Sequence, residues 1–271
     1  MSQKRTSMLG ALGLLVIFAL LMTACGPKEP QNALEAVKQA GVIKVAISAD
    51  YPPYTYVDEA GNFVGYSIEV DREVAKRLGV ELELTDVPFD TIFTGLAEGK
   101  YDVADGAHIW EEEREKVMDF PRPYFVDQYA LLVAEDFDES QIQKVDDIGK
   151  FKVGTLTGGA EELFLTEKLV EPGLLPEENL IFYDRNDSVA LDIEAGRIDL
   201  TLNKTTVLVA FVEEIGGLKI LFIDGLPEDE GVYMSVNEGE TELRDAIDAI
   251  LADLEEEGFL HDLAVKHKMA E

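Results

Sequence analysis

Apolar and polar positions follow two rhythms along this chain, and each rhythm predicts an element. "VIKVAIS" (42–48) is an apolar run of strand length, and "YTYVDEAGNFVGY" (54–66) reads as a hairpin with Gly61 and Asn62 in its turn. In "SIEVDREVAKRLG" (67–79), Ile68, Val74, Ala75 and Leu78 share one helical face; Ser67 is placed to cap the helix and Gly79 to end it. "VELELTDV" (80–87) returns to period two, and "FDTIFTGLAEGKYDV" (89–103) is a helix leading into a strand. The succession recurs: "FKVGTLTGGAEELFLTEKL" (151–169) is strand, glycine turn and helix. It continues through "NLIFYD", "SVALDIEAG", "RIDLTLN", "TTVLVAFVEEIG" and "LKILFI", and a strand "GVYMSVNE" precedes two last helices at 241–258 and 259–269. Strands alternating with helices predict α/β sheets with right-handed crossovers, and two blocks, near 42–120 and 151–222, predict two lobes.

The start of the chain obeys neither rhythm. Lys4 and Arg5 precede an uncharged run of 14 residues, Leu9 to Met22, ending in "LMTAC". A spanning helix needs about 20 apolar residues, so a basic start, a short apolar core and small residues before Cys25 predict a secretory signal over 1–24. Cys25 is the single cysteine, which rules out a disulfide within the chain. "GPKEPQN" (26–32) is a polar tether that reaches at most about 25 Å. The formal charge is −32, and −34 once Lys4 and Arg5 leave with the signal. So acidic a surface repels nucleic acid and anionic headgroups, and an anionic ligand needs a local cationic pocket. No cluster of Cys and His has metal spacing, so neither metal nor cofactor is expected.

Cys25 directly after Thr23-Ala24 resembles the lipobox of bacterial lipoproteins, with Met22 standing where leucine is usual. That resemblance implies a lipidated Cys25 and a chain anchored outside the cytoplasm, on the cell surface or in the periplasm. From Gly41 onward, "ADYPPYTYVDEAGNFVGYSIEV", "GLAEGKYDVADG", "EREKVMDFPRPY", "VGTLTGG", "IEAGRID" and "ETELRDAIDAIL" occur in an order that resembles the family 3 extracellular solute-binding proteins of ABC importers. The resemblance implies a two-lobed α/β fold of the periplasmic-binding-protein type II, each lobe a mixed sheet flanked by helices. Lobe one would take 33–125 and 223–271, lobe two 126–222. Two crossing strands near Phe125–Gln128 and Ile223–Gly225 would form the hinge. It also implies a monomer that closes on a small carboxylate-bearing solute, an amino acid or organic anion, and meets ABC permease subunits.

In open α/β sheets the crevice lies beyond the carboxyl ends of strands, which here means "SADY", "GAHIWEEER" and "TLTGG". In the family pattern the arginine six residues before the "DF" phenylalanine grips the ligand carboxylate; that residue is Arg114, ahead of Phe120. Glu111, Glu112 and Glu113 beside it fit a helix start, where acids interact favourably with the dipole. Tyr51 and Phe89 stand where the family sandwiches the aliphatic part of its ligand. Strand alternation puts Ala107 and Ile109 on the cleft side and leaves His108 packed behind. Thr157, Gly158 and Gly159 would offer backbone N–H groups as an anion nest.

Three positions depart from the family. Where amino-acid binders place an aspartate for the α-ammonium, this chain has Lys204; a second acid falls on Ser48, and a carboxylate-holding hydroxyl on Ile109. A lysine there repels an ammonium and favours a dicarboxylate or oxo-acid, whereas a register one residue earlier puts Asn203 in the cleft. The same fold carries a cyclohexadienyl dehydratase, for which Glu111 or Glu161 would be the general acid. A periplasmic sensor subunit is a further alternative. The leading expectation is a binding protein without catalytic residues.

Overall fold

The computed structural model describes residues 30–108, 112–228 and 230–270. The expected signal (1–24), the lipidated Cys25 with most of its tether, Ile109 and Glu111 lie outside the described residues. The chain enters through α1 (Ala33–Ala40), β1 (Val42–Ile47), and a hairpin layer of β2 (Asp50–Tyr51), β3 (Thr55–Val57) and β4 (Phe63–Val64). It continues with α2 (Tyr66–Leu78), β5 (Glu81–Asp86), α3 (Phe89–Ala97), β6 (Val103–His108), the short α4 (Glu112–Glu115) and β7 (Met118–Asp119). Then come β8 (Phe125–Asp127), β9 (Tyr129–Ala134), β10 (Val153–Leu156), α5 (Ala160–Leu165), β11 (Leu180–Tyr183) and α6 (Asn186–Glu194). β12 (Leu200–Lys204), α7 (Thr205–Ile215), β13 (Leu218–Leu221), β14 (Glu230–Asn237), α8 (Thr241–Glu256) and α9 (Phe259–Lys266) complete it. No helix among the described residues is long and apolar enough to cross a membrane.

Two sheets share one plan. In the first, of order β5-β1-β6-β14-β7, the strands β5, β1 and β6 are parallel and β14 returns antiparallel. In the second, β11-β10-β12-β9-β13, the strands β11, β10 and β12 are parallel and β9 is antiparallel to β12 and β13. Helices cover them through single apolar stripes. In α8, Leu243, Ile247, Leu251 and Leu254 recur every three or four residues and are fully buried, each stabilising by about 1.5–3 kcal/mol. β9 has no counterpart among the expected strands. Its "YALLVA" is apolar on both faces because the strand is central, so period two is absent from it.

Two expectations change in detail. α2 starts at Tyr66 with Gly65 at the cap position; Ser67 lies inside the first turn, and its hydroxyl bonds the Tyr124 hydroxyl at 2.7 Å. Gly65 sits at φ +127°, and a Cβ there would come within 2.1 Å of the Tyr54 carbonyl oxygen. Glycine is what lets the 51–54 loop dock on α2. The second crossing lies later than Ile223–Gly225: Asp224 still bridges Lys144 beside the second sheet, and the connecting strands pair at Phe125–Asp127 with Glu230–Val232.

Candidate functional site

The carboxyl ends of strands from the two sheets meet around a cavity of about 30 Å³. Ser48 and Tyr51 follow β1, Gly106, Ala107 and His108 end β6, and Leu156 and Lys204 end β10 and β12. Phe89 opens α3, Arg114 lies on α4, Gly159, Ala160 and Glu161 open α5, and Asn186 opens α6. So small a space holds about two waters; a solute larger than that enters only when the walls part.

Arg114 is 9% exposed, with its guanidinium carbon 4.5 Å from the Phe93 ring centre and 5.8 Å from that of Phe89. Its Nη2 donates to the Gly158 carbonyl oxygen at 3.1 Å, across from one sheet's elements to the other's. A cation on an aromatic face gains about 0.5–2 kcal/mol, so Phe89 and Phe93, one turn apart on α3, hold the fork in place. Phe93 is absent from the sequence expectation, although its spacing of four from Phe89 puts both on one helical face. Tyr51 stacks on Tyr54 with ring centres 5.8 Å apart and donates its hydroxyl to Asn203 Oδ1 at 2.5 Å.

Of the two alternatives, Lys204 lines the cavity and Asn203 does not. Asn203 accepts from Tyr51 and from the Lys204 N–H, and donates to Asn186 Oδ1 at 3.2 Å, so its amide is used in closing the walls. Lys204 lines the cavity at 1% exposure. Its ammonium lies 3.7 Å from the Tyr129 ring centre and 3.6 Å from Glu230 Oε2, without a hydrogen-bond acceptor among the described residues. Burial lowers its pKa, opposed by the charges of Glu161, Glu230 and Asp127. Burial likewise raises the Glu161 carboxyl, which Lys204 and then Arg114 pull back down.

Ser48 lines the cavity but spends its hydroxyl on Asp50 Oδ1 at 2.6 Å; Asp50 Oδ2 accepts the Asn186 N–H at 2.6 Å, a second bond that joins the walls. Two expectations are corrected. The anion nest is closed: the N–H groups of Thr157, Gly158 and Gly159 donate to Tyr183 O, Glu162 Oε2 and Leu156 O at 2.9, 2.6 and 3.1 Å. Only Gly159 of the three lines the cavity. His108 belongs to the wall with Ala107, because Ala107 adopts φ +52° and breaks the alternation that would have turned His108 away. The His108 ring lies edge-on to Phe93 at 5.1 Å, and neither ring nitrogen has a partner among the described residues. Burial, then Arg114, holds its pKa well below the usual histidine range, so it is neutral. Among the described residues no group of three His, Cys, Asp or Glu is placed to hold a metal ion.

With this geometry in hand, comparison with known proteins gives a consistent answer. The sequence model for bacterial extracellular solute-binding proteins, family 3, matches residues 43–269. The L-cystine-binding protein TcyA of Bacillus subtilis is 26% identical over 265 residues, spanning 93% of this chain and 94% of the relative. The arginine-binding extracellular protein ArtP of the same organism is 28% identical, spanning 93% of each chain. Among solved structures, a mutant of ArgBP from T. maritima superposes with a TM-score of 0.78 at 28% identity, covering 86% of this chain and 98% of that one. An amino acid ABC transporter substrate-binding protein from Streptococcus pneumoniae, bound to L-arginine, gives 0.79 at 25% identity, covering 88% and 98%. All four are binding proteins, for L-cystine in one case and arginine in the others.

Proposed function

The chain belongs to the bacterial extracellular solute-binding proteins of family 3, whose relatives compared above are amino-acid binders, and on that premise we propose that it captures a small carboxylate-bearing solute between its two sheets and delivers it to an ABC importer. The observation that carries this reading is Arg114, a buried guanidinium fixed against Phe93 and Phe89 at the cavity wall. Planar bidentate pairing with a carboxylate is what such a fork does best. Tyr51 and Phe89 flank the bound solute, and Ala107 closes the side of the carboxylate. Lipidation of Cys25 keeps the monomer within tether's reach of the membrane and of its permease subunits.

The test is a thermal-shift panel on the full chain in detergent, covering the L-amino acids, cystine, dicarboxylates and α-oxo acids. A bound ligand at 100 times its dissociation constant stabilises by about 2.7 kcal/mol. Arg114→Ala is expected to weaken any ligand found by about 10- to 150-fold, the loss of a charged hydrogen bond of about 1.5–3 kcal/mol. A carboxylate ligand bound equally well by Arg114→Ala sinks the assignment.

A further inference from the structure

Several polar side chains that line the cavity are spent on joining or bracing its walls. Tyr51 donates to Asn203, Ser48 donates to Asp50, Asn186 accepts from Asn203, and Arg114 reaches the Gly158 carbonyl. The Lys204 ammonium and the His108 ring differ. Both line the same space almost wholly buried, and neither the ammonium nor either ring nitrogen has a hydrogen-bond partner among the described residues. The fold fixes Lys204 there: it ends β12, where the ladder sets it opposite Tyr129 on β9, and its ammonium rests 3.7 Å from the centre of that ring. Glu230 Oε2 accepts the Tyr129 hydroxyl at 2.9 Å and lies 3.6 Å from the ammonium, beyond hydrogen-bond reach. Ring face and carboxylate thus hold the charge in place while its N–H groups stay unused. A buried donor left unsatisfied is costly, and a solute that seals the cavity either meets it or bears that cost.

We infer that Lys204 is a specificity-determining residue: its ammonium donates to a second oxygen acceptor of the solute, separate from the carboxylate held by Arg114. The inference rests on the proposed function and narrows its substrate class to carboxylic acids that carry a further oxygen. Lys204 and Arg114 line one small cavity, so a single short solute spans both. His108 adds a neutral N–H and a ring lone pair to the same wall, which suits an oxygen-bearing end and not a hydrocarbon one. The charges of Glu161, Glu230 and Asp127 already act on Lys204. A neutral acceptor, such as an amide carbonyl, a hydroxyl or an oxo group, therefore meets less repulsion there than a second carboxylate. A solute that ends in a bare alkyl chain leaves the ammonium buried without an acceptor, and the site discriminates against it for that reason.

The test is titration calorimetry on the full chain with matched solutes that share a carboxylate and differ at one end. One series is L-glutamine, L-glutamate and L-norvaline; a second is L-asparagine, L-aspartate and L-2-aminobutyrate; a third, without an ammonium, is succinamate, succinate and butyrate. In the series that binds, the amide is expected to bind at least about tenfold more tightly than the alkyl member, with the second carboxylate between them. Lys204→Met is expected to lower the preference for oxygen over alkyl by about tenfold or more, and Lys204→Gln, which keeps an N–H donor, to retain part of it. The wild-type preference needs no variant, so it decides even if neither variant folds. A tightest ligand without a second oxygen acceptor, or an unchanged preference in Lys204→Met, overturns the inference while Arg114-dependent carboxylate capture stands. If no carboxylate-bearing solute binds, both readings fall.

Discussion

Arg114 and Lys204 are two buried cations with opposite circumstances. The Arg114 guanidinium has two rings beneath it and a carbonyl at one nitrogen, whereas the Lys204 ammonium has a ring and a carboxylate near it but no hydrogen bond among the described residues. A desolvated ammonium without an acceptor costs stability, and truncating it to an apolar group of similar shape relieves that cost. Lys204→Met also leaves Glu230 and Glu161 without that cation, so the ligand-free chain is expected to melt lower near neutral pH despite the relieved ammonium. Because its native pKa is lowered by burial, the native state holds this proton less tightly than the unfolded chain does. Wild-type stability gains as pH rises towards the ordinary lysine range, and Lys204→Met removes that gain. A variant that melts higher near neutral pH would show that desolvation of the ammonium outweighs its pairing with the acids. Motif spacing singled out Arg114, Tyr51 and Phe89, and all three line the cavity. The His108 position was not, since it depends on the φ of Ala107, a backbone turn that no residue pattern announces.

Among the elements, β6 joins the cavity wall to a buried acid pair. Asp105 on β6 and Asp71 on α2 are almost wholly buried, and each has one carboxylate oxygen, Oδ2, without a hydrogen-bond partner among the described residues. Asp105 Oδ1 accepts the Tyr124 hydroxyl at 2.6 Å and the Ala107 N–H at 3.2 Å, while Tyr124 is bonded to Ser67. A proton shared between the two carboxyl groups would satisfy both oxygens. Burial, then in Asp71 the charge of Asp105, raises both pKa values, that of Asp105 to about 7. The folded state consequently binds more protons than the unfolded chain above the ordinary carboxylate value of about 3.9. The pair's contribution is full below that value and is lost as pH rises through about 7. Asp105→Asn supplies a donor to Asp71 without titrating. It is expected to melt above wild type at pH 8 and to flatten the stability profile between about pH 4 and 7; parallel profiles would exclude the shared proton. Neither acid was readable in advance, because Asp71 sits in an otherwise regular helix pattern and its partner comes from another strand.

For the whole molecule, the βα rhythm was enough to foresee two α/β lobes, and the order of motifs to foresee the family. What it left out was long-range: the later second crossing at Glu230–Val232, the closed N–H groups of the glycine turn, and a Lys204 ammonium without an acceptor among the described residues, which all depend on how the two sheets face one another. The walls are joined by Tyr51 to Asn203, Asn186 to Asp50 and Arg114 to Gly158, around space for about two waters. A solute of amino-acid size exceeds that space, so the proposed capture requires the walls to part and close again around the ligand. Small-angle scattering of the full chain with and without its best thermal-shift ligand tests this directly. The account predicts a smaller radius of gyration with saturating ligand, and no change in Arg114→Ala at the same ligand concentration. Compaction that survives in Arg114→Ala, or a bound ligand that leaves the wild-type radius unchanged, would contradict capture by closure on Arg114.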